Sequence, residues 1–171
     1  MNWKKRRIID KTDYRVFQVI TTEFSYQTQS AEFYQIEAPQ WVNIIAEHKD
    51  CIIMIRQFRI GIQDYTLELP GGIVDRDELP LIAGQRELSE ETGYLGEAQV
   101  IGVMHPNPAL FTNQLTTILV TDSKQSGTIS REIFEDIAID LVPIKDLKTK
   151  IAHGEITNAL TLASLMQYFS L

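Results

Sequence analysis

A chain of 171 residues with 44% apolar and 23% charged residues carries enough hydrophobic material for one sizeable core, which excludes a disordered or low-complexity polymer. The net charge of −7 leaves nothing to attract phosphate backbones or anionic lipids, so neither nucleic acid nor a membrane surface is an expected partner. The basic start, Met1–Arg7, runs into Ile8-Ile9-Asp10-Lys11 rather than an apolar h-region and is not read as a secretory signal, Lys4–Arg7 is read as a solvated arm, and no apolar run is long enough to span a bilayer. A single cysteine, Cys51, sits in an apolar run and cannot form an internal disulfide, which fits a reducing compartment, the cytoplasm by default.

In chain order, the stretches Tyr14–Ile20, Glu23–Tyr26 and Ala31–Ile36 alternate apolar or aromatic with polar residues, which predicts an antiparallel meander within residues 1–40. Pro39 closes that lead. Trp41–Ala46 and Cys51–Ile55 flank the polar turn His48-Lys49-Asp50 and read as a buried hairpin; Thr66–Leu69 is a short strand delivering the chain to Pro70-Gly71-Gly72. Pro80 suits a first helical turn and Gly93 a left-handed residue past the last one, so a helix is expected from about Leu79 to Thr92, with Leu81, Ile82, Ala83 and Leu88 facing a core. Strands follow at Ala98–Met104, Leu115–Thr121 and Ile137–Val142, separated by a rigid loop at His105–Pro108 and a polar loop at Ser123–Ser130. Pro143 opens a short helix through Lys150, and Ile156, Ala159, Leu160, Ala163 and Met166 recur with the spacing of a last apolar helix face. Intermixed strands and helices make this an α/β chain, with helices on both faces of a mixed sheet behind an N-terminal strand subdomain.

On the expected Leu79–Thr92 helix, Glu87, Glu90 and Glu91 stand at i, i+3 and i+4, three carboxylates within one turn of a single face. A solvated acidic face would look the same in isolation. Mutual repulsion is relieved if a hard cation sits among the oxygens, and magnesium, with manganese as a substitute, takes a few protein carboxylates and completes its shell with water and phosphate.

The surroundings give the cluster a context. Gly72, five residues, Glu78, seven residues, then Arg86-Glu87-Leu88-x-Glu90-Glu91-x-Gly93 resembles the Nudix box, and a match of seven fixed identities at one register has a chance probability on the order of 10⁻⁸. Tyr94 stands where an aliphatic residue is usual, and Asp77 where a glycine often precedes the first Glu. The resemblance implies an αβα sandwich over residues 41–171, with residues 1–40 as a strand subdomain through which members often dimerise. Three further segments are similar to the ADP-ribose pyrophosphatase and nucleoside-diphosphate-sugar branch: Ile55–Ile60 followed by Leu67-Glu-Leu-Pro-Gly-Gly72, the turn Asn107-Pro108-Ala109, and Gly154–Ala159.

That resemblance implies hydrolysis of a diphosphate linkage in a nucleotide-sugar-type small molecule. Glu87 and Glu91 with the Gly71 carbonyl would hold magnesium, Glu90 a second ion, and Arg86 would pin the loop to the helix by pairing with Glu78 or a helix carboxylate. The base that activates water would be Glu135, Glu132 or a box glutamate. Arg59, assisted by Arg56, would contact phosphate, and Asn107 and Pro108 would border the substrate. Other nucleoside diphosphate derivatives or dinucleoside polyphosphates are the rival substrates, and a non-catalytic nucleotide-sensing Nudix domain is the rival from another class.

Overall fold

The computed structural model describes residues 2–131 and 133–171, and the chain forms two compact units: Met1–Gln40 with His105–Gln114, and Trp41–Met104 with Leu115–Leu171. The segment His105–Gln114, which contains the proline loop, belongs to the first unit.

The first unit is a three-stranded antiparallel sheet in the order β1 (Trp3–Asp13), β2 (Gln18–Tyr26), β3 (Gln29–Glu37). Strand β1 corrects the reading of Lys4–Arg7 as an arm: Arg7 pairs with Glu23 at 2.9 Å and Arg6 donates to the Ser25 hydroxyl at 2.7 Å across the ladder. The strand is exposed along its whole length, so no buried face imposes the alternation by which a strand is read from sequence. Tyr14–Phe17, expected to open a strand, is instead the turn between β1 and β2, with Arg15 at φ 70° and its N–H donated to Asp13. The 105–114 segment is tied on through the backbone of Ile36, which exchanges hydrogen bonds with Leu110 and Thr112, and through Asn113, whose amide donates to the Pro39 carbonyl at 2.7 Å.

The second unit is a mixed seven-stranded sheet with helices on both faces. Its spine runs β10 (Ile137–Pro143), β5 (Cys51–Arg59), β4 (Trp41–His48), β9 (Leu115–Gln125), β8 (Tyr94–Met104); β6 (Asp64–Glu68) pairs with β5 and β7 (Gly71–Ile73) with β4. Only β4 and β9 run parallel among these pairs. Alternation along β4 sorts the core: Val42, Ile44 and Ala46 point to the layer of α1 (Pro80–Thr92), where Ala83, Leu88, Tyr94 and Ile118 complete the packing. Ile45 points to the opposite layer with Met54, Leu67, Leu119, Leu147, Ile156 and Leu165, the last from α3 (Ala159–Tyr168) and Leu147 from α2 (Leu147–Ala152). No helix among the described residues is long and apolar enough to cross a membrane.

Two helix faces differ from expectation. Ile82 on α1 is 50% exposed, and Gly84, whose added Cβ would run into Ile118, takes the core position beside Ala83. On α3 the buried residues are Thr161, Ser164 and Leu165, while Ala159 is exposed and Met166 is 64% exposed; Asn158 caps the helix through Leu160 and Thr161 N–H, and the buried face carries hydroxyls bonded to Leu69, Asn43 and Thr117 in place of the apolar stripe. Leu88 is the largest fully buried side chain of α1. Its replacement, Leu88→Ala, is expected to lower unfolding free energy by about 2–5 kcal/mol in a urea titration; a loss well below that range would mean the layer collapses around the gap.

Candidate active site

The Gly71–Ile73 strand and helix α1 bring their polar atoms together because the chain between them is short and the helix is fixed at both ends. Leu79 holds an extended conformation before Pro80, and Gly93 closes the helix at φ 74° with its N–H on the Ser89 carbonyl. At the other side, Gly71 and Gly72 pair with Asn43 and Val42 of β4. A Cβ on Gly72 would run into the Glu87 carboxylate, so only glycine lets the loop approach the helix this closely.

Arg86 is the hub. Its guanidinium donates to Glu78 at 3.1 and 3.0 Å, to Glu87 at 2.9 Å, to Glu90 at 3.1 Å and to the Ile73 carbonyl at 3.0 Å. The Glu78 bonds foremost raise its already high pKa, and in return they hold the Glu78 carboxyl below the usual carboxylate range. This is the loop-to-helix clamp expected of Arg86.

Glu91 is different. It is 3% exposed, no ion pair reaches it among the described residues, and its carboxylate accepts the Gly71 N–H at 3.0 Å. Burial, and after it the negative charges of Glu87 and Glu135, push its pKa up to about 8 against the pull of that N–H. Glu87 is raised too, by burial first, with Arg86 offsetting part of the effect.

No three carboxylate, imidazole or thiol side chains converge at metal-binding distance among the described residues. Arg86 occupies oxygens of Glu87 and Glu90 that a cation would otherwise share. The donor set still fits a hard ion: it is all oxygen, it is crowded, and its buried member makes no ion pair among the described residues.

Beside the glycine loop opens a cavity of about 290 Å³ lined by Trp41, Asn43, Arg59, Glu68, Gly71 and Asn158 among others. Arg59 grips Glu68 with two prongs at 2.9 and 2.7 Å. Burial alone would raise the Glu68 carboxyl, but hydrogen bonds from Arg59 and Thr66, with Asn158 adding to them, hold it below the ordinary range. Arg56 does not line this cavity; it is exposed on β5 and pairs with Asp140 at 3.2 Å. Asn107 and Pro108 belong to the first unit, where Asn107 builds its own turn by accepting from Ala109, Leu110 and Phe111. Glu135 is half-buried, and its charge acts on Glu87, Glu91 and Arg59. Glu132 lies outside the described residues.

The family model for the NUDIX domain matches residues 37–160, most of the chain. The chain belongs to the Nudix family. It is 41% identical over 75 residues to an ADP-sugar pyrophosphatase of Mus musculus, covering 43% of this chain and 34% of that protein. It is 28% identical over 123 residues to an ADP-ribose pyrophosphatase of Bacillus subtilis (strain 168), covering 70% of this chain and 65% of that protein. The chain thus spans between a third and two thirds of the length of these relatives. A crystal structure of an ADP compounds hydrolase superposes with a TM-score of 0.85 at 19% identity, over 98% of this chain and 94% of the other, and shares the Nudix fold.

Two polar residues of this Nudix site escaped the sequence reading. Glu68 stood in the quoted Leu67–Gly72 segment, yet the β5–β6 ladder sets it opposite Ile55 and Arg59 opposite Asp64, and only the folded side chains bring its carboxylate to the Arg59 guanidinium. Arg131 donates to the Glu91 carbonyl at 3.0 and 2.6 Å and to the Ile137 carbonyl at 2.7 Å, joining the end of α1 to the start of β10; nothing in a lone arginine marks such a role.

The raised Glu91 pKa makes a stability prediction. In protein stripped of divalent ions by chelator, the folded state keeps a proton on Glu91 that the unfolded chain has already lost above the ordinary pKa of 4.5, so this group's contribution to stability declines as pH rises toward about 8 and then levels. Glu91→Gln is expected to unfold at a higher temperature than the parent at pH 9 and to lose that advantage near pH 4, by calorimetry; equal midpoints at pH 9 would contradict it.

Proposed function

We propose that this Nudix chain is a divalent-metal-dependent pyrophosphohydrolase that cleaves the diphosphate linkage of ADP-ribose or a related nucleoside diphosphate sugar and releases two monophosphates. The observation that carries the proposal is the buried Glu91, flanked by Glu87 and Glu90 and next to a cavity lined by Arg59. The relatives named for ADP-ribose and ADP-sugar pyrophosphatases support the substrate class.

In this reading Glu87, Glu91 and Glu90 hold magnesium or manganese together with the Gly71 carbonyl. When bound, the ion neutralises phosphate charge and sharpens the acidity of water. The chain's own groups do the rest. Arg86 fixes Glu78, Glu87 and Glu90 in one constellation and need not touch substrate. Arg59, oriented by Glu68, offers its remaining N–H donors to a phosphate oxygen. Water adds its oxygen to one phosphorus while the bridging P–O bond breaks and the second phosphate departs with the bridging oxygen. The proton from water passes to a carboxylate, and in this reading Glu135, half-buried on the segment before β10, is the base. The proposal includes a cytoplasmic homodimer assembled through the first unit, whose sheet has β1 and β3 as its edges, the latter covered at Ile36 by the 105–114 segment. A nucleotide sensor without turnover is disfavoured because no box carboxylate is missing.

Glu91→Gln should cut magnesium-dependent turnover of ADP-ribose by about 10²-fold or more while leaving the far-UV spectrum of the fold unchanged. Release of monophosphate at parental rate by that variant would refute the assignment of the carboxylate ridge.

A further inference from the structure

The layer between the sheet and α3 contains polar side chains where an apolar face would pack. Thr161 and Ser164 on α3 and Thr117 on β9 are each no more than 1% exposed, and Asn43 on β4 is 9% exposed. Buried polar atoms need a reason, and these have specific partners. Ser164 Oγ accepts from Asn43 Nδ2 at 3.1 Å and from Thr117 Oγ1 at 3.0 Å, and Thr161 Oγ1 accepts the Leu69 N–H at 3.2 Å. In the ladders Asn43 lies opposite Thr117 on one side and Gly71 on the other.

With Nδ2 spent on Ser164, the other amide atom of Asn43 is turned the opposite way. Oδ1 lies toward Gly71: a Cβ built there would stand 2.9 Å from it and would also collide with the Val42 carbonyl. Glycine at 71 therefore leaves Oδ1 uncovered at the wall of the cavity that Asn43 lines. Glu68 and Asn158 add a carboxylate and an amide to that wall, against the apolar surfaces of Trp41, Leu115 and Leu160. Glu68 already accepts from Arg59 and Thr66, and Asn158 Oδ1 from the Leu160 and Thr161 N–H groups, which leaves Asn43 Oδ1 as the acceptor to be used. An acceptor beside an apolar surface matches a sugar, which offers hydroxyl donors on its rim and C–H bonds on its face.

We propose that Asn43 is a specificity-determining residue: Ser164 and Thr117 lock its amide so that Oδ1 accepts a hydrogen bond from a hydroxyl on the sugar-phosphate half of the ligand. The inference deepens the function proposed above and rests on it for the phosphate carried by that half. Ser164 acts through Asn43 and is a positioning residue. A site built to bond a hydroxyl rejects an analogue that lacks it, because the buried acceptor is then left without a partner.

The test is binding, independent of turnover. Ribose 5-phosphate and n-propyl phosphate are titrated by calorimetry, in magnesium buffer, into the full chain and into Asn43→Leu and Ser164→Ala. The parent is expected to prefer the sugar phosphate by about tenfold, Asn43→Leu to abolish the preference by weakening only the sugar phosphate, and Ser164→Ala to reduce it partly. Asn43→Ala removes the same acceptor without added bulk and serves if the leucine variant does not fold. A parent without preference, or a variant that weakens both ligands equally or keeps the preference, overturns the proposal. Hydrolysis of ADP-ribose by the parent is followed alongside. Turnover without sugar preference sinks this inference alone, and sugar preference without turnover sinks the catalytic reading alone.

Discussion

The arrangement depends on an imbalance of charge along one turn of helix. One guanidinium, Arg86, is shared among Glu78, Glu87 and Glu90, and a fourth carboxylate, Glu91, is buried within the same cluster with a backbone N–H for company. Burying a carboxylate without a cation is costly enough that the group prefers to keep its proton near neutral pH. A helix placed to hold such a group must be anchored by something else, and here α1 is anchored by its apolar face: Ala83, Gly84 and Leu88 against Ile44 and Ile118. Packing thus sustains an electrostatically unfavourable site, the usual relation between a scaffold and a functional centre.

The opposite face of the sheet uses polarity in another way. Between β4, β9 and α3 a chain of hydroxyl and amide groups replaces part of the oil, and each member is oriented by the next. The same strand β4 therefore serves two layers, its even-numbered residues seating the carboxylate helix and Asn43 reaching the cavity. Gly71 and Gly72 sit where these layers meet: one leaves room for the Asn43 amide and the other for Glu87. Substitution at either glycine would disturb loop, cavity and helix together.

Much of this was legible in the sequence because it is encoded locally. Pro80 and Gly93 bracket α1, the turn at His48–Asp50 joins β4 to β5, and spacing puts Glu87, Glu90 and Glu91 on one side. The expected pairing of Arg86, with Glu78 or a helix carboxylate, is met by both, at Glu78 and at Glu87 and Glu90. What sequence could not supply is non-local. Strand β1 is exposed throughout and has no alternation to read; the buried face of α3 is polar and meets partners on distant strands; Ile82 is turned outward while Gly84 takes the close approach. Glu68 as the partner of Arg59, and Arg131 as the link from α1 to β10, exist only once the chain is folded. The 105–114 segment joins the first unit through Ile36 and Pro39, contacts spanning some seventy residues that no local pattern announces.

The central claim is that the α1 carboxylates await a divalent ion, and its most direct test is proton release. A ligand set that must ionise gives up protons when metal binds. Manganese titrated at pH 7 into metal-free protein, in buffers of different ionisation enthalpy, should displace about one proton per chain, and Glu91→Gln should eliminate that release. Manganese binding with no proton displaced, or with the same displacement in the variant, would contradict the account.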